Sequence, residues 1–414
     1  MALEGSVRQR GARQYSAEEK VLLCCARTVL SNATAARIRA LVGEIVDWRY
    51  LVETAVRHGV LPLIYRNLDR ICPKSVPQTV LSHLKHEHRA TATRNLRLMA
   101  ELLRVSALLE VYEVQVTSFK GPTLAISAYD DISLREFSDL DLFVRDCDIA
   151  KAKEILLADR YEPANALSPR QEKRRLRVQG SYELIDRAGE VAIEIHTAFR
   201  PKWAGFHLDP EQLLNRREWI SIGGGRIACF PPAEMLLILC AHGATHDWNR
   251  LLWICDIAEL LRSNPRLNWA SILEASERIR NNRTLFLGLL LARNLLDATV
   301  PQLVLDAIED DRGTTATAST VCNWLFDHES RCRLTPGTRS LRGFQFVKLR
   351  ENLREKIPHI IHLLHLAVTP TDEDRALVAC PKGLYVLYFL VRLRRLFLKA
   401  FRKTASVRRK GNIG

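Results

Sequence analysis

Two aspartates one residue apart, Asp139 and Asp141, sit in the run Asp139-Leu140-Asp141-Leu142-Phe143-Val144, where acidic and apolar residues alternate. In a strand, residues i and i+2 point to the same face, so the two carboxylates lie side by side while Leu140 and Leu142 turn to the core. Adjacent carboxylates repel, and without a cation one of them is driven towards protonation. A divalent ion removes that conflict, and Mg²⁺ suits a site of few carboxylates completed by phosphate oxygens. The spacing alone carries little, because Asp146/Asp148 and Asp372/Asp374 repeat it at what read as helix starts or surface turns. Glu194 supplies the missing context. It lies in Val191-Ala192-Ile193-Glu194-Ile195-His196, with Ile193 and Ile195 on the opposite face. If that strand lies beside the Asp139 strand, Asp139, Asp141 and Glu194 form a metal site and catalytic group for in-line phosphoryl transfer with Mg²⁺ or Mn²⁺. Glu194 would then help deprotonate the attacking hydroxyl.

A second group of residues suits phosphate. Val114 to Phe119 alternates like a strand and runs into Lys120-Gly121-Pro122-Thr123. Gly121 lets the backbone approach a phosphate, the following helix offers N–H donors, and Lys120 or Thr123 can add contacts. Arg135 is a further candidate phosphate ligand, and His196, next to the catalytic strand, is a candidate supporting residue. His242 and His246, four apart on one helical face, form with Asn249 and Asp256 a polar stripe towards the nucleotide or acceptor. The spacing could also bind zinc, but no glutamate follows His242, so the metalloprotease motif fails. His246-Asp247 with Asp256 invites a metal-dependent phosphohydrolase as an alternative. That fold needs another histidine on an upstream helix, and His207 sits in a loop-like stretch.

The elements that position these residues fall into zones. Residues 1–15 read as disordered. Residues 16–113 are helical, with Ser16 and Glu19 spaced as a capping box. Strand patterns are confined to 114–230: the Val114 and Asp139 strands, a hairpin of Ser181–Asp186 and Val191–His196 around Gly189, and an extra pair near Trp219–Cys229. Residues 231–380 return to helix, and 381–414 read as a basic amphipathic helix and tail. The class is α+β, with a small mixed sheet between helical flanks.

The run from Lys120-Gly121-Pro122-Thr123-Leu124 through Tyr129 and Arg135 to Ser138-Asp139-Leu140-Asp141-Leu142 resembles the uncharacterised nucleotidyltransferase family of the polymerase-β-like superfamily. Glu194-Ile195-His196 and the segment His242 to Ile257 are similar to it as well. The resemblance implies a nucleotidyltransferase core, Mg²⁺, a nucleoside triphosphate donor, and nucleotide contacts from the matched turn and loop, Ser138 included. Transfer of a nucleoside monophosphate to a hydroxyl acceptor, with release of pyrophosphate, is the activity expected. The acceptor is not given by the resemblance: a small molecule, a peptide or RNA would each serve, the last as in toxin-like or RNA-modifying members of the superfamily. The sequence departs from the superfamily in one place, since Pro122 follows Gly121 and removes an N–H from the phosphate turn. A non-catalytic nucleotide-binding scaffold is the alternative of a different class, but binding alone does not call for three unscreened acids.

Composition sets the outer bounds. The chain has 414 residues, 47% of them hydrophobic and 26% charged, which supports a substantial core and argues against wholesale disorder. The net charge is +14, and the stretch from Arg392 to Lys410 holds nine basic residues and no acid. Phe389, Leu393, Leu396 and Phe397 would line one face there and Arg392, Arg395 and Lys399 the other, which suits peripheral contact with an anionic surface. The ten cysteines are scattered without a Cys-x-x-Cys pair, as expected of free thiols in a reducing compartment. With a polar N-terminus and no apolar run long enough for a membrane span, a cytoplasmic location is expected.

Overall fold

A computed structural model describes residues 13–165, 167–199, 208–309, 311–327 and 387–395. Within them, β1 (Thr117–Ser118), β2 (Asp139–Phe143), β3 (Tyr161–Pro163), β4 (Ser181–Asp186), β5 (Ala192–His196), β6 (Glu218–Ile222) and β7 (Gly225–Cys229) form one mixed sheet. Its order is β3-β4-β5-β2-β1-β7-β6, with helices before and after it in the chain. The protein is α+β with helical flanks.

The order follows from the connections. β4 and β5 close as a hairpin through Gly189, whose φ of +73° is a left-handed turn conformation suited to glycine. Between β2 and β5 the chain makes a long excursion through helices Ile149–Asp159 and Pro169–Gln179, enough for a crossover, and β5 returns parallel to β2. Asp148 stands at the start of the first of these helices, as its position in the sequence suggests. One face of the sheet presents Leu140, Leu142, Leu184, Ile193 and Ile195, packed with Leu102, Val105 and Leu109 from helix Gln78–Val111 and with Ala152 and Leu156 from helix Ile149–Asp159. Each such residue removed from water contributes about 1.5–3 kcal/mol, which fixes the register because a one-residue slip would expose the whole set.

The strand expected from Val114 to Phe119 is reduced to the two residues of β1. The Val114 N–H is spent on Leu109 O at 3.0 Å, closing the end of the long helix, so it is not available to a ladder. Val114 and Val116 are nonetheless buried in the core. The pair near Trp219–Cys229 forms as expected, joined by Gly223-Gly224. Ser16 and Glu19 make the reciprocal capping box at helix Ala17–Cys25.

The chain divides into two compact units, residues 1–326 and 327–414. The changes of pattern near 113 and 230 both fall within the first unit. Its early and late helices pack on each other: Glu259 accepts from the Thr28 N–H (2.9 Å) and hydroxyl (2.6 Å), and His58 Nδ1 accepts from the Leu251 N–H (3.0 Å). In the second unit residues 387–395 are helical. Arg392 is buried, and Phe389, Leu390 and Leu393 are exposed. The rest of the basic tail lies outside the described residues, as do residues 1–12 and Asp372/Asp374. No described helix is long and apolar enough to cross a membrane.

The loop leading to β2 is tied down by a buried ion pair. Arg135, 5% exposed, donates from Nε to Asp256 Oδ1 (2.7 Å) and from its Nη2 to Asp256 Oδ2 (2.9 Å), and the Tyr129 hydroxyl donates to Oδ1 at 2.7 Å. Asn95 reaches the same loop from the long helix, donating to Ile132 O and Arg135 O. Removing one member of a buried pair strands the other charge. Asp256→Asn should therefore cost about 3–5 kcal/mol in equilibrium denaturant unfolding, against about 1 kcal/mol for Tyr129→Phe. Comparable small losses in both would show that the loop is held by something else.

Candidate active site

The parallel pairing of β2 and β5 sets Asp141 opposite Glu194 and Phe143 opposite His196. By strand alternation Asp139, Asp141, Glu194 and His196 share the face turned away from the core. Asp141 is almost wholly buried, and its Oδ1 lies 3.0 Å from Lys120 Nζ and 3.0 Å from His196 Nε2. His196 Nε2 is also 3.3 Å from Glu194 Oε2. Ligand atoms of Asp141, Glu194 and His196 all fall within 4.8 Å of one another, a group able to hold a metal ion. Asp139 occupies the same face, half-buried at the start of β2, but stands outside that tight group.

Electrostatics follows the geometry. Burial would raise the Asp141 carboxyl, but Lys120 and His196 outweigh it and hold the group far below the usual carboxylate range. Asp139 lacks that degree of compensation: burial and the neighbouring Asp141 charge raise it. The conflict expected of paired carboxylates is thus settled at Asp141 and left at Asp139. Burial would likewise raise Glu194, yet His196 lowers it. Burial would depress the His196 ring, but Glu194 and Asp141 together bring it up to about 9.

Lys120 is delivered by the turn after β1. Gly121 has φ +50°, and a Cβ there would come within 3.3 Å of Asp139 O, so the turn presses directly on the start of β2. Pro122 sits in the first turn of helix Gly121–Tyr129. Thr123, expected to meet phosphate, is buried; its hydroxyl donates to Lys120 O (2.6 Å) and lies 3.2 Å from Ser118 Oγ. Arg135, expected to do the same, is enclosed by Asp256. Each side chain has a buried partner through which it holds the turn or the loop. Ser138 is exposed beside Asp139.

At the end of helix Pro232–Thr245, the rings of His242 and His246 are 4.6 Å apart and stand 5.5 and 5.0 Å from Trp253. Burial depresses His242 well below its ordinary value, and Lys120 and His246 depress it further while Asp141 opposes them, so this group lies within electrostatic reach of the carboxylates. Trp248 is structural: it is fully buried, and a Cβ on Gly243 would lie 2.4 Å from its ring. The geometry gives the phosphohydrolase alternative no support. Asp256 is enclosed by Arg135 and Tyr129, and among the described residues no metal-holding group includes His242 or His246. His207 lies outside the described residues.

Two contributors were not foreseen. Ser181, opposite His196 in the hairpin register, helps to lower the Glu194 carboxyl, and Phe119 packs edge-on against the His196 ring with centroids 5.1 Å apart. Counting the hairpin register outward from Gly189 would have found Ser181. The proximity of Phe119 arises only when β1 joins the sheet.

The His196 ring is raised above its ordinary value of 6.5. Its pairing therefore stabilises the fold fully below about 6.5 and the contribution is lost as pH rises through about 9. An NMR titration of metal-free protein should place this ring near 9, and Glu194→Gln should lower it. A ring titrating at its ordinary value in both proteins would contradict the assignment.

None of the curated proteins matches this chain. Residues 44–297, more than half of the chain, match the model of an uncharacterised nucleotidyltransferase family, from the last helices before the sheet through helix Asn282–Leu296. With strand-borne carboxylates in parallel register inside that span, the chain belongs to this family of nucleotidyltransferases.

Proposed function

We propose that the protein transfers a nucleoside monophosphate from a nucleoside triphosphate to a hydroxyl acceptor, releasing pyrophosphate. The observation that carries this reading is the register of Asp141 against Glu194 with Lys120 beside them, acids and a phosphate-seeking cation on one face. The donor set fits a divalent ion: carboxylate oxygens from Asp139, Asp141 and Glu194 suit Mg²⁺ or Mn²⁺, and His196 suits the role of an orienting neighbour. When bound, such an ion supplies charge against the triphosphate and acidifies the attacking hydroxyl.

The chain's own residues do the rest. Glu194, ionised near neutrality, receives the proton of the acceptor hydroxyl. The acceptor oxygen then bonds to the α-phosphorus as the bond to the leaving pyrophosphate breaks. Lys120 draws the triphosphate towards the Gly121 turn, where the helix N-terminus adds N–H donors despite the loss of one at Pro122. His196 keeps Asp141 and Glu194 aimed at one point. His242, His246 and Trp253 offer the base a stacking surface.

Incubation with Mg²⁺, cell extract and triphosphate labelled at the α- or the γ-phosphate tests this. Label should pass to an acceptor from the α-position only. Asp139→Ala/Asp141→Ala should lower transfer at least about a hundredfold, since even outer partners of a metal site cost 10–100-fold. Transfer from the γ-position, or transfer that survives the double substitution, would contradict the proposal. Absence of both transfer and Mg²⁺-dependent triphosphate binding would favour a non-catalytic scaffold.

A further inference from the structure

Helix Pro169–Gln179 has no part in the site as described, yet it is the most basic element of the sheet region. Arg170, Lys173, Arg174 and Arg177 fall at i, i+3, i+4 and i+7, one continuous face. All four are exposed, and none has an ion pair among the described residues. The other faces of the helix are committed. Glu172, its one acid, pairs with Lys153; Arg175 bonds Glu183 at 2.7 Å and Gln179 at 2.9 Å; Leu176 packs on the core beneath the sheet.

The helix is anchored to the catalytic strand. It ends at Gly180, whose carbonyl accepts the Thr197 N–H at 2.7 Å, one residue beyond His196. Gly180 has φ +73°, and a Cβ there would lie 2.7 Å from Ala198 Cβ, so the contact requires glycine. Glu183, the partner of Arg175, stands opposite Glu194 in the β4–β5 register. The basic stripe therefore runs for about 10 Å of helix axis and stops at the strand that carries Glu194 and His196.

We infer that this stripe is the track for the acceptor, and that the acceptor is a single-stranded RNA whose terminal hydroxyl is led to the Asp141–Glu194 face. The inference rests on the nucleotidyl-transfer reading above. A row of cations with no ion pair among the described residues, beside a phosphate-handling site, matches a phosphodiester backbone, which binds by neutralising successive charges. A membrane-seated helix would present large apolar residues beside its cations. Here Leu176 faces the core, and among the described side chains of this helix no large hydrophobic is exposed. A neutral small molecule or peptide would give four aligned charges nothing to bind.

Fluorescence anisotropy of a short labelled single-stranded RNA across a salt series, on the full chain, reads the stripe. The variant R170Q/K173Q/R174Q/R177Q should lose at least about tenfold in affinity and reduce the salt slope by about 3, four contacts at about 0.7 each. The variant R170K/R174K/R177K, which keeps every charge, should bind as the wild type does. Circular dichroism melting should be alike in all three proteins. Unchanged affinity and slope in the glutamine variant would overturn the inference. So would tighter binding to phosphatidylcholine–phosphatidylserine vesicles than to RNA at matched phosphate. Mg²⁺-dependent triphosphate binding, measured on the same samples, separates the two readings. Its absence in the wild type defeats nucleotidyl transfer and the acceptor role with it, even if the RNA binds. Asp141-dependent label transfer to an RNase-resistant product keeps nucleotidyl transfer and overturns the RNA acceptor.

Discussion

Asp141 and Glu194 face each other across two parallel strands, and positive charge has to stand between them. In this fold it comes from Lys120 and His196, both within 3.0 Å of Asp141. The remaining features of the site serve that arrangement. Lys120 can stand there only because the Gly121 turn touches the backbone of Asp139, and His196 only because β5 runs parallel to β2 in this register. Lys120 and His196 keep Asp141 and Glu194 ionised, while the repulsion between the paired aspartates is left at Asp139.

The supporting structure is of two kinds. Behind the sheet, interdigitated leucines and isoleucines set the register by burial. In front, the loop into β2 is fixed by the Arg135–Asp256 pair and by Asn95, both polar and both long-range. A buried ion pair adds little net stability compared with well-packed apolar residues. Its value here is positional, because it fixes where the chain enters β2 and hence where Asp139 stands.

Much of the chemistry was legible from local pattern. Alternation placed Asp139 and Asp141 on one face of a strand, and the hairpin around Gly189 placed Glu194 on another. The strands' pairing depends on topology, and periodicity does not encode it. Arg135 was read as a phosphate ligand because its partner lies 121 residues away, beyond any local signal. Thr123 was misleading for the opposite reason, since its partner is the carbonyl three residues before it. Helix Pro169–Gln179 offers few apolar residues to mark a period, being charged on most of its circumference, although Ser168 and Gln171 form a capping box at its start.

The claim at the centre is that the Asp139–Asp141–Glu194 face holds a divalent ion against a triphosphate. Anomalous diffraction from crystals grown with Mn²⁺ and a non-hydrolysable nucleoside triphosphate tests it most directly. The account predicts a manganese peak bound by Asp141 and Glu194, with the triphosphate reaching the Lys120-Gly121 turn. A bound triphosphate with manganese elsewhere, or with none at these carboxylates, would contradict it.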